Sequence, residues 1–497
     1  MKVKAEKNVE LIVFASQLEQ HGWIPALTKL LEHKKEFDVY VVGGTLRDAL
    51  LGIPKQHFDM DLLIDPKPAS KKAAEILSKE LESNFFELDA KRDTYRISFD
   101  NAQVDVNGIR GEALMDDLFL RDFSMDALCL PLDNFLRVYS RGDTRMGLLD
   151  YFQGIEDMLS RKVRIHNPAS FEDDPLRLLR AYRLAGEISG HIDPWTEEQI
   201  SIQKEKLFEV SGERIRDEWL KILALSHCSP WLSKMDESGL LSIVFPFLES
   251  FVPMDEKYTQ RLQVRRHTLE TLQYLEEIFE RIRKFDFPYA REIESMLNET
   301  LVPDRNLKVL LKLVALLHDI GKPDTISMEE DRLRFFDHES NGAEKAKIYL
   351  KDLKLSNREQ EWIEGLILEH MRPHQLSNAD LLTERAKYRF FRDLGSLAVP
   401  ILLLGLSDAY ATRRVKMPGL PAYEAFVADM LDYGFKKEKE AIAPLLNGND
   451  IMHLLDIPPS PAVGELLEAL LEAQHLGQVD TRREAEAFVR EKWKSKN

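Results

Sequence analysis

The chain has 497 residues, with 68 Lys or Arg against 85 Asp or Glu and a formal net charge of −17 at pH 7. That length allows three or four domains, and the acidic balance argues against indiscriminate nucleic-acid binding while leaving a local basic face open. Cys129 and Cys228, the 2 cysteines, argue against a disulfide framework and for a reducing, cytoplasmic compartment. The charged N-terminal stretch has only a short apolar run, and no uninterrupted apolar stretch nears the roughly 20 residues of a membrane span, so no signal peptide and no membrane contact are expected.

In chain order, the apolar run 39–42 reads as a buried strand, Gly43 and Gly44 break it, and 45–51 has helical spacing. Glycines there let backbone N–H groups approach a triphosphate at the positive end of the following helix. The run 58–64 reads as a second strand, so Asp59 and Asp61 project from one face. A divalent cation removes the repulsion between such a pair, and two-metal phosphoryl transfer needs that arrangement. Taken singly, a Gly-Gly turn or an Asp-x-Asp is usually structural; their succession as strand, turn, helix and strand points to nucleotide chemistry. Further strands are predicted near 93–99, 102–107, 127–131 and 135–139. Asp105, on the second of these, is a candidate third carboxylate, with a solvated strand position as the alternative. Between them the chain passes from Gly108 through Gly111 almost directly into a helical run, 112–120.

From about 151 the pattern turns helical and stays so. Arg161, Lys162, Arg164, Arg177, Arg180 and Arg183 crowd this stretch, where a face tracking RNA phosphates and internal pairing with nearby acids are both open readings. Asp174 and Arg177 are three apart on a predicted helix; an acceptor beside a forked donor can mimic the Watson–Crick edge of a base. Alternatively, Asp174 caps the helix, Pro175 opens it and Arg177 is a surface charge. A charged stretch, 280–306, with Pro288 and Pro303, is expected to hold a helix and its linkers. His267 opens a helical segment, His318-Asp319 closes the apolar run 310–317, His338 and His370 follow, and Asp408 lies late in an apolar helix. Helices of a bundle converge on a divalent metal in this way, whereas a single buried His-Asp pair is usually a core contact. Residues 413–419 read as a loop, and amphipathic helices follow Leu446.

Several ordered motifs carry a resemblance: Gly43-Gly44 with Arg47-Asp48 and Asp59-x-Asp61; 121–127, RDFSMDA; 150–157, DYFQGIED; 173–181, DDPLRLLRA; and Glu213-Arg214-Ile215 with Glu218. Over 38–225 the chain resembles the class II tRNA nucleotidyltransferase and bacterial poly(A) polymerase family. Leu317-His318-Asp319-Ile320-Gly321-Lys322-Pro323 resembles the HD metal-dependent phosphohydrolase superfamily. The resemblance implies an α+β chain: a polymerase-β-like nucleotidyltransferase head with a small mixed sheet (1–150), a helical neck (151–225), an HD helical bundle (226–425) and a helical tail (426–497). It implies that Asp59 and Asp61 hold Mg²⁺ and are catalytic, that Gly43, Gly44 and Arg47 seat the triphosphate, and that Arg121, Asp122, Asp126 and Arg180 line the nucleotide pocket, with Asp174 and Arg177 reading the base. His267, His318, Asp319 and Asp408 carry over as HD ligands for a divalent transition metal or Mg²⁺, with His338 and His370 matching a second ion's positions. The expected activity is addition of CMP, with or without AMP, from CTP and ATP to the tRNA 3′ end, releasing pyrophosphate; a poly(A) polymerase and an HD phosphohydrolase are the alternatives.

The departures are specific. Leu120 stands where the family usually has an Arg, Asp126 where it has Asn, and Asp173 where it has Glu. Asp126 only accepts, so an amide donor is lost near the nucleotide. The segment between Asp105 and Asp122 is short where many CCA- and A-adding relatives carry a longer flexible loop, which resembles the CC-adding members.

Overall fold

The structure is a computed structural model that describes residues 23–496 except 54–57, 100–101, 142–146, 248–259, 304, 330–331, 380, 414–418 and 438–442. The chain forms two compact units, Met1–Phe245 and Pro246–Asn497.

The first unit is built on a mixed sheet of β1 (Asp38–Val42), β2 (Phe58–Asp65), β3 (Phe85–Asp89), β4 (Thr94–Phe99), β5 (Ala102–Gly108) and β6 (Cys129–Pro131), in the order β3-β4-β5-β2-β1-β6. Central β2 runs antiparallel to β1, with Val42 opposite Asp61, and parallel to β5, with Asp61 opposite Asp105. Val41, Leu62, Leu63, Ile64, Val104 and Val106 are buried, as apolar runs inside a covered sheet should be. Helices α1 (Trp23–Leu31) and α3 (Ser70–Glu80) pack together through buried Trp23, Leu27, Leu30, Ala74 and Leu77. Between β1 and β2 lies α2 (Gly44–Leu51), which ends at Gly52 in the left-handed conformation. The turn after β5 leads into α4 (Leu114–Phe119).

Two expectations change here. Residues 135–139 belong to a helix, α5 (Leu132–Arg141), because Leu132, Phe135 and Leu136 bury one face at helical spacing. Strand β3 escapes sequence reading because its burial does not alternate: as an edge strand it leaves Phe86 and Leu88 about half exposed.

Helices then dominate: α6 (Gly154–Leu159), α7 (Ser170–Asp173), α8 (Arg177–Glu187), α9 (Pro194–Gln203) and α10 (Gly212–Ala224). Small sheets interrupt the expected all-helical run, Lys162–Val163 with His191–Ile192 here and two short hairpins in the second unit.

The second unit is organised on α11 (Gln260–Arg283), α12 (Ala290–Leu297), α13 (Leu307–Leu317), α14 (His338–Asp352), α15 (Asn357–Glu369), α16 (Arg372–Ser377), α17 (Glu384–Leu394), α18 (Ala398–Arg413) and α19 (Leu420–Lys437). Every residue of α13 except Lys308 is buried, and Asn306 caps it by accepting the Val309 N–H at 3.0 Å. The 280–306 stretch holds α12 as expected, together with the short pair Thr300–Val302 and Arg305–Asn306. The run Glu384–Thr412 is long and apolar enough to cross a membrane by length and composition, contrary to the sequence reading, but 67% of its apolar window is buried, as in a core helix. The expected 413–419 loop lies mostly outside the described residues. Three tail helices, Gly448–Leu455, Pro461–His475 and Arg482–Lys496, share a core through Ile451, Leu466, Leu470 and Val489.

Candidate functional site

The head carries an open cavity of about 800 Å³ whose lining includes Gly43, Gly44, Asp59, Asp61, Asp105, Arg110, Arg121, Asp122 and Asp126. Gly43 has φ +76°, and a Cβ there would lie 2.7 Å from Asp61 Oδ2, so only glycine lets the turn pass this carboxylate. The Thr45 hydroxyl donates to the Asp59 carbonyl and ties the turn to β2. Asp59 is exposed and Asp61 half-buried. Asp105 lies beside Asp61 in the sheet, but both its oxygens accept from Arg96, at 2.7 and 2.8 Å. Arg96, on β4 directly across from Asp105, was not legible from sequence, because only the antiparallel register of β4 and β5 brings it there. The oxygen-only donor set of Asp59 and Asp61 suits a hard divalent ion.

Arg47 lines the cavity yet is buried, with Nη1 2.5 Å from Asp126 Oδ1 and Nε 2.7 Å from Asp48 Oδ1. Asp126 therefore neutralises Arg47, which accounts for a carboxylate in place of an amide. Burial pushes the Asp126 carboxyl up, and Asp122 adds to this against the pull of Arg47. Asp122 carries two arginines, Arg177 and Arg180, each at 2.7 Å; against burial, Arg180 and Arg177 hold its carboxyl below the usual range.

The pair proposed to read a base does not share a helix face. Asp174 stands in extended backbone (φ −150°, ψ 99°) ahead of α8, accepting from the Leu176 N–H at 3.2 Å and from Arg214 at 2.8 Å. Arg177 is neither a surface charge nor turned to the cavity: it is buried and donates to the Ser170 carbonyl (3.0 Å) and Leu120 carbonyl (2.8 Å). Arg180 and Arg183 line the cavity instead. Of the six basic neck residues, Lys162 and Arg164 pair with Asp157, Arg177 and Arg180 with Asp122, and Arg183 with Glu187 and Glu218, while Arg161 donates to the Ile188 carbonyl. Each of these six side chains therefore has an internal partner. The turn joining head and neck is closed by Asp150, which accepts from the Gly154 and Ile155 N–H groups at 2.8 and 3.0 Å. At Gly154 a Cβ would lie 2.3 Å from the Ser124 carbonyl.

In the second unit, His267 on α11, His318 and Asp319 after α13, His338 opening α14, His370 after α15 and Asp408 on α18 converge. Ligand atoms of His267, His318 and Asp319 lie within 4.8 Å of one another, as do those of Asp319, His338 and His370. Asp319 thus joins both groups. His267 Nε2 is 2.9 Å from Asp408 Oδ1. The Nδ1 atoms of His318, His338 and His370 lie 2.7–2.9 Å from the carbonyls of Ala315, Phe335 and Ile367, which fixes Nδ1 as the protonated nitrogen and turns Nε2 inward. Asp319 Oδ1 is buried with no hydrogen bond. Despite burial, His318 and Lys322 hold the Asp319 carboxyl well below its usual range, while burial pushes the His370 imidazole down to about 3. Imidazole Nε2 atoms turned towards a buried carboxylate are a fitting donor set for a divalent metal. Sequence reading missed His374, whose Nε2 lies 2.7 Å from Asp408 Oδ2; its i+4 spacing from His370 was the available signal.

A mixed sheet with an Asp-x-Asp strand beside a Gly-Gly turn, followed by helices and a His/Asp cluster, defines a nucleotidyltransferase head joined to an HD metal domain, and such domains use divalent metal. Family models agree: "Poly A polymerase head domain" matches 39–164, "Probable RNA and SrmB- binding site of polymerase A" matches 191–252 and "HD domain" matches 264–432. The chain is 30% identical over 466 residues to the CC-adding tRNA nucleotidyltransferase of Thermus thermophilus, covering 91% of this chain and 93% of that protein. It is also 30% identical to the A-adding tRNA nucleotidyltransferase of Deinococcus radiodurans, over 91% and 95%. Its fold matches the Thermotoga maritima CCA-adding enzyme complexed with tRNA, with a TM-score of 0.64 at 20% identity over 95% of this chain and 94% of that one. The chain belongs to the tRNA nucleotidyltransferase family.

Proposed function

We propose that this tRNA nucleotidyltransferase is CC-adding: it transfers CMP from CTP to the tRNA 3′ end and stops before the terminal A. The observation that carries this reading is the short, pinned connection between β5 and α4. Asp116 Oδ2 accepts from the Glu112 and Ala113 N–H groups at 2.9 and 3.0 Å, and a Cβ at Gly111 would lie 2.5 Å from Asp116 Cβ, so the turn closes directly onto the start of α4. A connection this short lacks the length of the flexible loop that many CCA- and A-adding relatives carry.

Asp59 and Asp61 are the residues that would hold Mg²⁺, which when bound lowers the pKa of the attacking hydroxyl and neutralises the departing pyrophosphate. Gly43 and Gly44 give the triphosphate close access to the N-terminus of α2. The tRNA 3′-hydroxyl attacks the α-phosphorus, forming one P–O bond as the bond to pyrophosphate breaks. Asp122 and Asp126 fix the arginines on the nucleotide side of the cavity. Reading of a base by Asp174 and Arg177 requires Arg177 to exchange its Asp122 pairing for the base.

Extension of three tRNAs, ending before CCA, after C and after CC, tests this with each nucleotide offered separately. CTP incorporation should halt at CC with no AMP added; completion to CCA overturns the CC-adding reading, and homopolymer growth with ATP alone indicates a poly(A) polymerase. The His/Asp cluster supports a second reading, phosphoester hydrolysis in the HD unit. It predicts phosphatase activity that is lost in His318→Ala and kept in Asp59→Ala.

A further inference from the structure

Three charged side chains stand in one line across the head sheet. Arg96 on β4 is directly opposite Asp105 on β5, and Asp105 is directly opposite Asp61 on β2, so all three project from the same face. Neighbouring strands lie about 4.8 Å apart, which puts the Asp105 carboxylate within reach of an ion held at Asp61. Its oxygens are engaged on the other side. Arg96 Nε and Nη2 donate to Asp105 Oδ1 and Oδ2 at 2.7 and 2.8 Å, the two-pronged geometry of a strong ion pair. Gln103, opposite Asp59 in the register, supports this fork: with its amide oxygen towards Arg96 it accepts from Nη2 at 3.0 Å. By its partner Asp105 belongs with Asp117, Asp122 and Asp126, cavity carboxylates that each carry an arginine.

The number of carboxylates around a hard cation sets its affinity. Mg²⁺ usually takes one or two of them and completes its octahedron with waters and substrate phosphates. A third carboxylate would hold the ion without any nucleotide, whereas one already neutralised by a guanidinium offers it little.

Resting on the reading of Asp59 and Asp61 as holders of the divalent ion, we infer that Arg96 withholds Asp105 from that ion, so that the head binds it weakly until a triphosphate supplies the remaining oxygens. Arg96 is a positioning residue that acts through Asp105. Its charge also reaches Asp59 and Asp61, so direct repulsion of the ion has to be told apart from action through Asp105.

Mn²⁺ titration of the nucleotide-free full chain, followed by electron paramagnetic resonance of the unbound ion, tests this. Binding that is lost in Asp61→Ala belongs to the head and is thereby separated from that of the HD unit. Arg96 keeps 34% of its side chain exposed, so Arg96→Gln spares the core; should it fail to fold, Arg96→Met carries the same test. Arg96→Gln should bind Mn²⁺ at the head about tenfold more tightly, with fewer waters left on the bound ion by proton relaxation. A substitution that merely loosened the sheet would weaken binding instead. Arg96→Gln combined with Asp105→Asn should return to within about twofold of the unaltered chain. Unchanged or weaker binding in Arg96→Gln, unchanged hydration of the ion, or tighter binding that persists in the double variant overturns the inference while leaving Asp59 and Asp61 in their roles. Mn²⁺ binding that is indifferent to Asp61→Ala, in the unaltered chain and in Arg96→Gln alike, overturns the head-site reading and this inference with it.

Discussion

Asp126 Oδ1 lies 2.5 Å from Arg47 Nη1, and neither side chain is more than 10% exposed. The residue that departs from the family's usual Asn is therefore a counter-charge, set in a row of acids and arginines along one wall of the cavity.

Removing it should cost stability. Asp126→Ala leaves the buried Arg47 paired with Asp48 alone among the described residues within ion-pair distance, and loss of a buried partner costs about 3 kcal/mol. Urea unfolding of the full chain should show an earlier first transition, and Asp126→Asn, which keeps an acceptor oxygen, should lie between the two. An unchanged midpoint in Asp126→Ala would mean the pair contributes nothing.

Gly43→Ala should lower nucleotidyl transfer far more than stability. Alanine at φ +76° costs about 1–3 kcal/mol, and its methyl group pushes Asp61 from its place. We expect about a hundredfold loss of CMP incorporation with a fall in melting temperature of no more than about 10 °C. Asp59→Ala and Asp61→Ala should abolish incorporation while leaving tRNA retention in gel shifts; turnover in either would falsify the assignment of these carboxylates.

The pH dependence of the head should report Asp157. This carboxylate accepts from Ser124 (2.5 Å) and pairs with Lys162 and Arg164 (2.8 and 2.6 Å). Burial alone would raise its carboxyl, but Lys162, Ser124 and Arg164 together lower it. A lowered folded-state value stabilises the fold fully above the unfolded value of about 3.9, and the stabilisation is lost as pH falls through the folded one. Asp157→Asn should therefore melt earlier at pH 7, with the difference from the unaltered chain shrinking towards pH 3. A difference that does not shrink at all as pH falls below about 3.9 would trace the effect to packing.

Metal removal should act on the second unit. Chelation strips a ligand that binds the native state alone, so a 100-fold excess over Kd is worth about 2.7 kcal/mol. Scanning calorimetry should show one transition move down with chelator and recover with Mn²⁺ or Co²⁺, and His318→Ala should abolish the recovery. Insensitivity of every transition to chelator would argue for a core contact at Asp319.

The two cysteines, neither in a disulfide, give a simple check on packing. Cys129 is fully buried, and burial pushes its thiol up to about 12. With Cys228 also buried, neither should react with a thiol reagent at pH 8 until denaturant is added.

The sequence by itself determined the features whose physics is local. Glycines that break an apolar run, carboxylates at strand period and a His-Asp pair at the end of an apolar helix state their geometry within a few residues, and the runs 39–42, 45–51, 58–64 and 310–317 read from them lie within Asp38–Val42, Gly44–Leu51, Phe58–Asp65 and Leu307–Leu317. Tertiary structure decided the counter-charges that lie far apart in sequence. Arg47 meets Asp126 across 79 residues, Arg96 meets Asp105 through the β4–β5 register, and Arg177 turns inward because Asp122, Ser170 and Leu120 are there to receive it. A charged side chain carries no periodicity that names a partner beyond its own helix or turn. Its partner is set by strand order, register and burial, which form only when the chain has folded.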